Sequence, residues 1–155
     1  MIRPATADDA PAVRTIWNTL IRETTVTFNS IGKTEAEVAA FLENGPVFVA
    51  DIGGVCGYAS FGPFRAGVGY QRIAEHSIVL TDDARGKGLG RGLMNAIAEQ
   101  AESQGINSLI AGVSGENTAG QAFHAHLGFN QVGYIPEAGY KFGRYIDLVL
   151  MQKRL

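Results

Sequence analysis

Between residues 13 and 42 apolar side chains return every three or four positions. Val13, Ile16, Trp17, Leu20 and Ile21 form one such set and predict a helix that buries one face. Thr6 stands three residues before Asp9, an approximate capping box with Asp in place of Glu, and Met1–Ala5 ahead of it reads as a short strand. Thr34 and Glu37 repeat the capping signal more strictly, and Val38, Phe41 and Leu42 supply the apolar face of a second helix. From Pro46 the repeat shortens to that of strands. Val47–Ile52 and Val55–Phe61 flank Gly53-Gly54, a hairpin signal, and the glycine-rich loop Gly62–Tyr70 leads into a third run, Gln71–Leu80. Helical spacing returns at Leu89, Leu93, Ile97 and Ala101, which predicts a helix over Gly88–Gln104 stopped by Gly105. Ser108–Val113 reads as a strand, Asn117–Leu127 as a helix closed by Gly128, and Asn130–Tyr134 and Arg144–Gln152 as strands. The order β-α-α-β-β-β-α-β-α-β-β is that of an α/β (α+β) domain, a hairpin meander running into a βαβ unit, with a mixed sheet covered by helices. A fold alone assigns no chemistry.

Composition narrows the function classes. The 155 residues suit one domain over 1–155, with no linker, repeat or low-complexity segment. The net charge is −2 and no block of like charges occurs, so the clustered basic face of a nucleic-acid binder is absent. No apolar run is long enough to span a bilayer and no basic start precedes an apolar stretch, so a soluble, cytoplasmic protein without a membrane partner is expected. Cys56 is the only cysteine; it has no internal disulfide partner and lies in an apolar strand pattern, which reads as core.

The most informative segment is Arg85-Gly86-Lys87-Gly88-Leu89-Gly90-Arg91-Gly92, between a strand and an amphipathic helix. Alternate glycines let backbone N–H groups converge without side-chain obstruction, and the helix start adds free donors and a partial positive charge. That combination suits a phosphate or pyrophosphate, with Arg85, Lys87 and Arg91 around it. A Walker loop is excluded because Gly88, not Ser or Thr, follows Lys87. The dinucleotide fingerprint fails because the sixth place is Arg91 counted from Gly86, or Leu93 counted from Gly88. A flexible turn without a ligand is the competing reading, at the cost of several glycines at a helix start.

Arg85-Gly-Lys-Gly88-Leu-Gly90 resembles the Arg/Gln-x-x-Gly-x-Gly/Ala signature of the GNAT acetyltransferase superfamily, and Asn117, Ala119, Phe123 and Leu127-Gly128-Phe129 resemble its second cofactor motif. Ile2-Arg3-Pro4-Ala5, Gly62-Pro63-Phe64-Arg65, Glu75-His76-Ser77 and Lys141-Phe142-Gly143-Arg144 are similar to the branch of phosphinothricin, methionine sulfone and methionine sulfoximine acetyltransferases. The resemblance covers nearly the whole chain. It implies a mixed, mostly antiparallel central sheet flanked by helices, and acetyl-coenzyme A as cosubstrate. It also implies that Gly86–Arg91 hold the pyrophosphate, that the backbone of Ile78, Val79 and Leu80 serves the pantetheine arm, and that the site lies near the interface of a homodimer.

Amide formation from a thioester needs an uncharged amine and a proton for the departing thiolate, so a base is useful at neutral pH. Glu75 shares a strand face with Ile73, Ser77 and Val79, a partly apolar row that raises a carboxyl pKa. The resemblance puts the family's catalytic acid residue at the same place. The competing reading is a glutamate paired with a core arginine. The family's usual tyrosine proton donor is replaced here by His124, a candidate for that role. His76 falls on the face opposite Glu75, as a packed core histidine would, although the Glu-His-Ser segment counts it and Ser77 with the substrate side. Two-residue spacing puts His124 and His126 on different faces, and no metal site is indicated. Arg65 is the candidate for a substrate carboxylate, with Arg72 and Lys141 as weaker ones; Ala66 and Gly67 line the same loop, and Thr24–Phe28 wall the pocket with Phe28 over an apolar chain. The leading function is acetyl transfer to the amine of a small molecule. The alternatives are a protein or peptide amine, which calls for an acidic groove that the sequence does not show, a non-catalytic acyl-coenzyme A sensor, and a nucleotide-binding module.

Overall fold

The computed structural model describes residues 1–155. Strands β1 (Ile2–Pro4), β2 (Val47–Asp51), β3 (Val55–Pro63), β4 (Ile73–Leu80), β5 (Ser108–Ser114), β6 (Asn130–Lys141) and β7 (Arg144–Arg154) form one sheet in the order β1-β2-β3-β4-β5-β7-β6. Every neighbouring pair is antiparallel except β4 and β5. Helices α1 (Ala10–Glu23) and α2 (Glu35–Asn44) cover one face; α3 (Leu89–Ser103), packed across β1 to β4, covers the other, and α4 (Thr118–His126) lies against β5. The class and element order are those read from the chain, and the mostly antiparallel sheet is the one the resemblance implies.

Burial explains the pattern. Val13, Val38 and Leu42 meet Val47, Val49 and Tyr58 in one core, while Leu93, Ile97 and Ala101 meet Leu109, Ala111, Val113, Val149 and Met151 in the other. Successive residues of β2 and β3 feed opposite cores, Val49 against Ala50 and Tyr58 against Ala59, so β3 is an almost unbroken apolar run. Thr34 and Glu37 close their capping box as read, with Glu37 N donating to Thr34 Oγ1 and Thr34 N to Glu37 Oε1, both at 3.1 Å. No helix is long and apolar enough to cross a membrane.

One strand is longer than its sequence suggests. The strand read as Asn130–Tyr134 continues to Lys141 and absorbs Pro136 to Gly139 as a bulge between Ile135 and Gly139. Glu137 adopts φ 55° there, and its N–H donates to Asp147 Oδ1 at 2.8 Å, so the partner strand supplies the bond that the ladder loses.

The parallel pair decides where a site can form. β4 pairs with β3 from Ala74 to its end at Leu80, opposite Pro63 to Gly57. Its pairing with β5 runs only from Ile73↔Ser108 to His76↔Ala111, whereas β5 continues beside β7 to Ser114↔Leu148. From Ser77 onward the β5-facing edge of β4 has no strand partner.

The N-terminal end is held by charge. Arg3 donates to both carboxylate oxygens of the buried Asp9 and to Asp51 Oδ2, each at 2.9 Å, and Asp9 Oδ2 also accepts from Thr6 N at 2.8 Å. The Arg3 hydrogen bonds hold the Asp9 carboxyl below its ordinary range. The stabilisation is therefore full above that range and is lost as pH falls through the lowered titration. Asp9→Asn is expected to lower the thermal midpoint by about 2–4 °C at pH 7, with the gap to the parent closing in acid; scanning calorimetry across pH checks it.

Candidate active site

Three connected cavities follow the course of β4. One, of about 810 Å³, is lined by Glu75 and Ser77 together with Arg65, Ala66 and Gly67 of the glycine-rich loop. The second, of about 420 Å³, occupies the gap where β4 and β5 part; Glu75 to Val79 form one wall, Ala111 to Ser114 another, and Val26, Thr27 and Phe28 a third. The third, of about 550 Å³, runs from Ile78, Val79 and Leu80 to the glycine turn and α4. Glu75 and Ser77 are shared by the first two, and Ile78, Val79, Asn117 and His124 by the last two.

Glu75 sits at the junction. It pairs through its backbone with Gly62 of β3 and Ile110 of β5, which puts its side chain where the strands begin to separate. Burial pushes its carboxyl above the ordinary value, and it makes no ion pair, so the paired-arginine reading fails. Gly112 leaves room for it, since a Cβ there would stand 3.3 Å from Glu75 Oε2.

His76 points away from Glu75, as strand alternation requires, and is buried. Its Nε2 lies 2.9 Å from Nε2 of His124, which reaches over from α4, and His124 Nδ1 lies 2.7 Å from the Gly120 carbonyl oxygen. The spacing of the two histidines in sequence gives no sign of this pair; they meet because α4 packs beside the open end of β4.

The glycine turn divides its labour. Gly86 and Gly88 both adopt φ 76°, and a Cβ at either would meet nothing within 4 Å, so they shape an open loop at the start of α3. Gly90 and Gly92 instead permit close packing: a Cβ would come 2.8 Å from Phe123 at Gly90 and 2.9 Å from Ile2 at Gly92. Arg85, Gly86, Gly88, Leu89, Gly90 and Arg91 line the third cavity, and Lys87 does not. Asn117 caps α4, its Oδ1 accepting from Gly120 N at 2.9 Å. Open N–H groups at a helix start, two arginines, a free strand edge and an apolar channel between them fit the pyrophosphate and pantetheine of a coenzyme A thioester.

Lys141 is not a carboxylate ligand. Its side chain is buried, and Nζ donates to the carbonyl oxygens of Thr24 at 2.6 Å and Thr27 at 2.8 Å. Arg144 grips Glu116 with two hydrogen bonds at 2.9 and 2.7 Å, and Thr25 Oγ1 donates to the same carboxylate at 2.8 Å. The Lys-Phe-Gly-Arg turn thus ties down the loop after α1, which carries Phe28 onto Gly139 and along the second cavity. Trp17, Phe41 and Tyr58, read from the sequence as helix and strand core, pack edge-to-face or tilted with centroids 4.9–6.1 Å apart and line the same space.

The acetyltransferase (GNAT) family model matches residues 13–129. The chain belongs to the GNAT acetyltransferase family. It is 38% identical to the L-methionine sulfoximine/L-methionine sulfone acetyltransferase of Pseudomonas paraeruginosa, over 99% of this chain and 94% of that protein. It is 35% identical to the phosphinothricin N-acetyltransferase of Alcaligenes faecalis, over 99% of this chain and 82% of that one. The GNAT superfamily phosphinothricin acetyltransferase of Sinorhizobium meliloti, solved in complex with AcCoA, superimposes with a TM-score of 0.93 at 31% identity, over 100% of this chain and 88% of that chain.

In this acetyltransferase the Lys141 clamp has a measurable signature. Lys141→Met removes two charge-assisted hydrogen bonds while keeping most of the side-chain volume. Faster hydrogen–deuterium exchange at Thr24–Phe28 and an amine KM raised about tenfold or more, with coenzyme binding unchanged, are the expected outcomes. Unaltered exchange in that loop would remove the clamp.

Proposed function

We propose that this enzyme transfers the acetyl group of acetyl-coenzyme A directly, in a ternary complex, to the amino group of a small amino-acid-like substrate of the phosphinothricin, methionine sulfone or methionine sulfoximine type. The observation that carries this reading is Glu75: an unpaired, solvent-accessible carboxylate where the glycine-loop cavity meets the gap between β4 and β5, with its titration raised by partial desolvation.

The cosubstrate, when bound, supplies a thioester carbonyl carbon and a thiol leaving group. The chain supplies the rest. Gly86–Arg91 hold the pyrophosphate, Asn117 and the free edge of β4 at Ile78–Leu80 hold the arm, and a β4 N–H polarises the carbonyl. Arg65 takes the substrate carboxylate in the first cavity, beside Ala66, Gly67 and Ser77, and Phe28 covers the side chain. Glu75 removes a proton from the substrate ammonium, aided by its raised pKa, and His124 serves proton transfer at the sulfur.

Glu75→Gln is expected to lower kcat by about 10²–10⁴-fold with the coenzyme Kd unchanged. Because burial raises the Glu75 titration, the acidic limb of kcat/KM lies above the ordinary carboxylate range, and it disappears in the variant. Thiol release from acetyl-coenzyme A with methionine sulfone, methionine sulfoximine, phosphinothricin and a lysine peptide measures both. Turnover of the peptide alone, or full activity in Glu75→Gln, would overturn the reading.

The working form is a homodimer in the cytoplasm. Val132, Tyr134, Ile135, Tyr140, Phe142 and Tyr145 are exposed along the edge strand β6 and its hairpin with β7, an apolar strip that a second copy would cover. Sedimentation is expected to give a dimer, and Tyr140→Asp with Phe142→Asp a monomer.

A further inference from the structure

The acetyl-transfer scheme uses His124 and leaves His76 without a task, yet the two rings form a pair with a single neutral arrangement. His124 Nδ1 is 2.7 Å from the Gly120 carbonyl oxygen, which accepts and never donates, so that nitrogen carries a hydrogen. Neutral His124 then has a bare Nε2, 2.9 Å from Nε2 of His76. Two bare nitrogens would repel at that distance, so the hydrogen between them belongs to His76. Neutral His76 is left with a bare Nδ1; this atom makes no hydrogen bond of normal geometry, although the Ile110 backbone favours a hydrogen on the ring.

The surroundings favour the neutral pair. His76 and His124 are only 5% and 6% exposed, and Phe129 lies against both, with centroids at 5.3 and 5.1 Å. Burial pushes both titrations down, helped at His76 by His124 and opposed by the backbone of Ile110 and of Gly120 respectively. The ionisable groups that share a cavity with the pair are Glu75 on β4, Tyr58 on β3, Arg85 and Arg91 at the start of α3, and His126 on α4; none hydrogen-bonds to either ring, and β5 brings no charge.

We propose that His76 is a positioning residue for His124: its Nε2–H occupies the one lone pair of His124 Nε2 and so holds His124 in the Nδ1–H tautomer, beside the cavity where β4 and β5 part. His76 acts as a hydrogen-bond donor and not as a proton carrier. The catalytic consequence rests on the reading of His124 given above. The resting ring has no proton at Nε2 to give, so one must be taken up there during turnover. A substrate ammonium loses two protons as its nitrogen forms the amide bond and the carbon–sulfur bond breaks. One goes to Glu75, and the other reaches the sulfur through His124 Nε2 once the His76 hydrogen bond has opened and freed that nitrogen's single lone pair.

Long-range proton–nitrogen spectra of histidine-labelled enzyme read the tautomers directly. At pH 7 the expected pattern is Nδ1–H with bare Nε2 for His124, and Nε2–H with bare Nδ1 for His76. His76→Leu removes the donor and is expected to raise the His124 titration, shift the acidic limb of kcat and lower kcat about tenfold, with the amine KM within about twofold. His76→Gln keeps an N–H near the same place but cannot carry a proton, and is expected to restore the His124 signals and most of kcat. Circular dichroism confirms that both variants fold. His124 found as Nε2–H or charged at pH 7, or His76→Gln no better than His76→Leu, would overturn the proposal. Full activity in His124→Gln would instead remove the catalytic role of His124, and the nitrogen signals would still decide the tautomer.

Discussion

The separation of two parallel strands governs this protein. A sheet normally satisfies both edges of an internal strand with neighbouring backbone. Here β4 keeps β3 from Ala74 to Leu80 but loses β5 beyond His76↔Ala111. The unpaired edge at Ser77–Leu80 is a row of backbone donors and acceptors inside the protein, tolerable because an extended polar ligand can take the missing strand's place. The gap also provides the cavity, and the last paired residues of β4 bring Glu75 and His76 to its closed end.

Each polar side chain around the gap is handled differently. Glu75 is left unpaired, and burial alone raises its titration. The two imidazoles satisfy one another across the gap between β4 and α4, with one nitrogen left over. Lys141 spends its charge on two loop carbonyls. Unpaired and half-paired groups are costly in a core, and away from this region buried polar side chains are few, Asp9 and Ser108 among them. The cost is concentrated where the proposed proton transfer and ligand contact would benefit from it. Rigidity comes from the periphery: the Arg3–Asp9–Asp51 cluster at one end of the sheet and the Lys141 and Arg144 contacts at the other.

Much of this was legible in the residues themselves. Periodicity, capping boxes and glycine placement are local properties, so the seven strands, the four helices and the glycine turn at the start of α3 could be read from the chain. Glu75 and His76 fall on opposite faces by strand alternation alone. The extension of β6 was hidden because Pro136 to Gly139 has turn chemistry, and only the partner strand, through Asp147, makes that segment a bulge.

What the sequence could not decide is which distant groups meet. Four glycines in one motif look equivalent, but two shape a loop and two admit Phe123 and Ile2, a difference set by neighbours far away in the chain. Lys141 looked like an anion ligand until the loop after α1 closed on it. His124 looked like a proton donor by position, and its tautomer follows from Gly120 within its own helix together with His76 from a strand 48 residues away. Local sequence determines elements because their hydrogen bonds and buried faces repeat over a few residues. The protonation, pairing and accessibility of a site depend on burial and on partners brought by other elements, and only the tertiary structure supplies those.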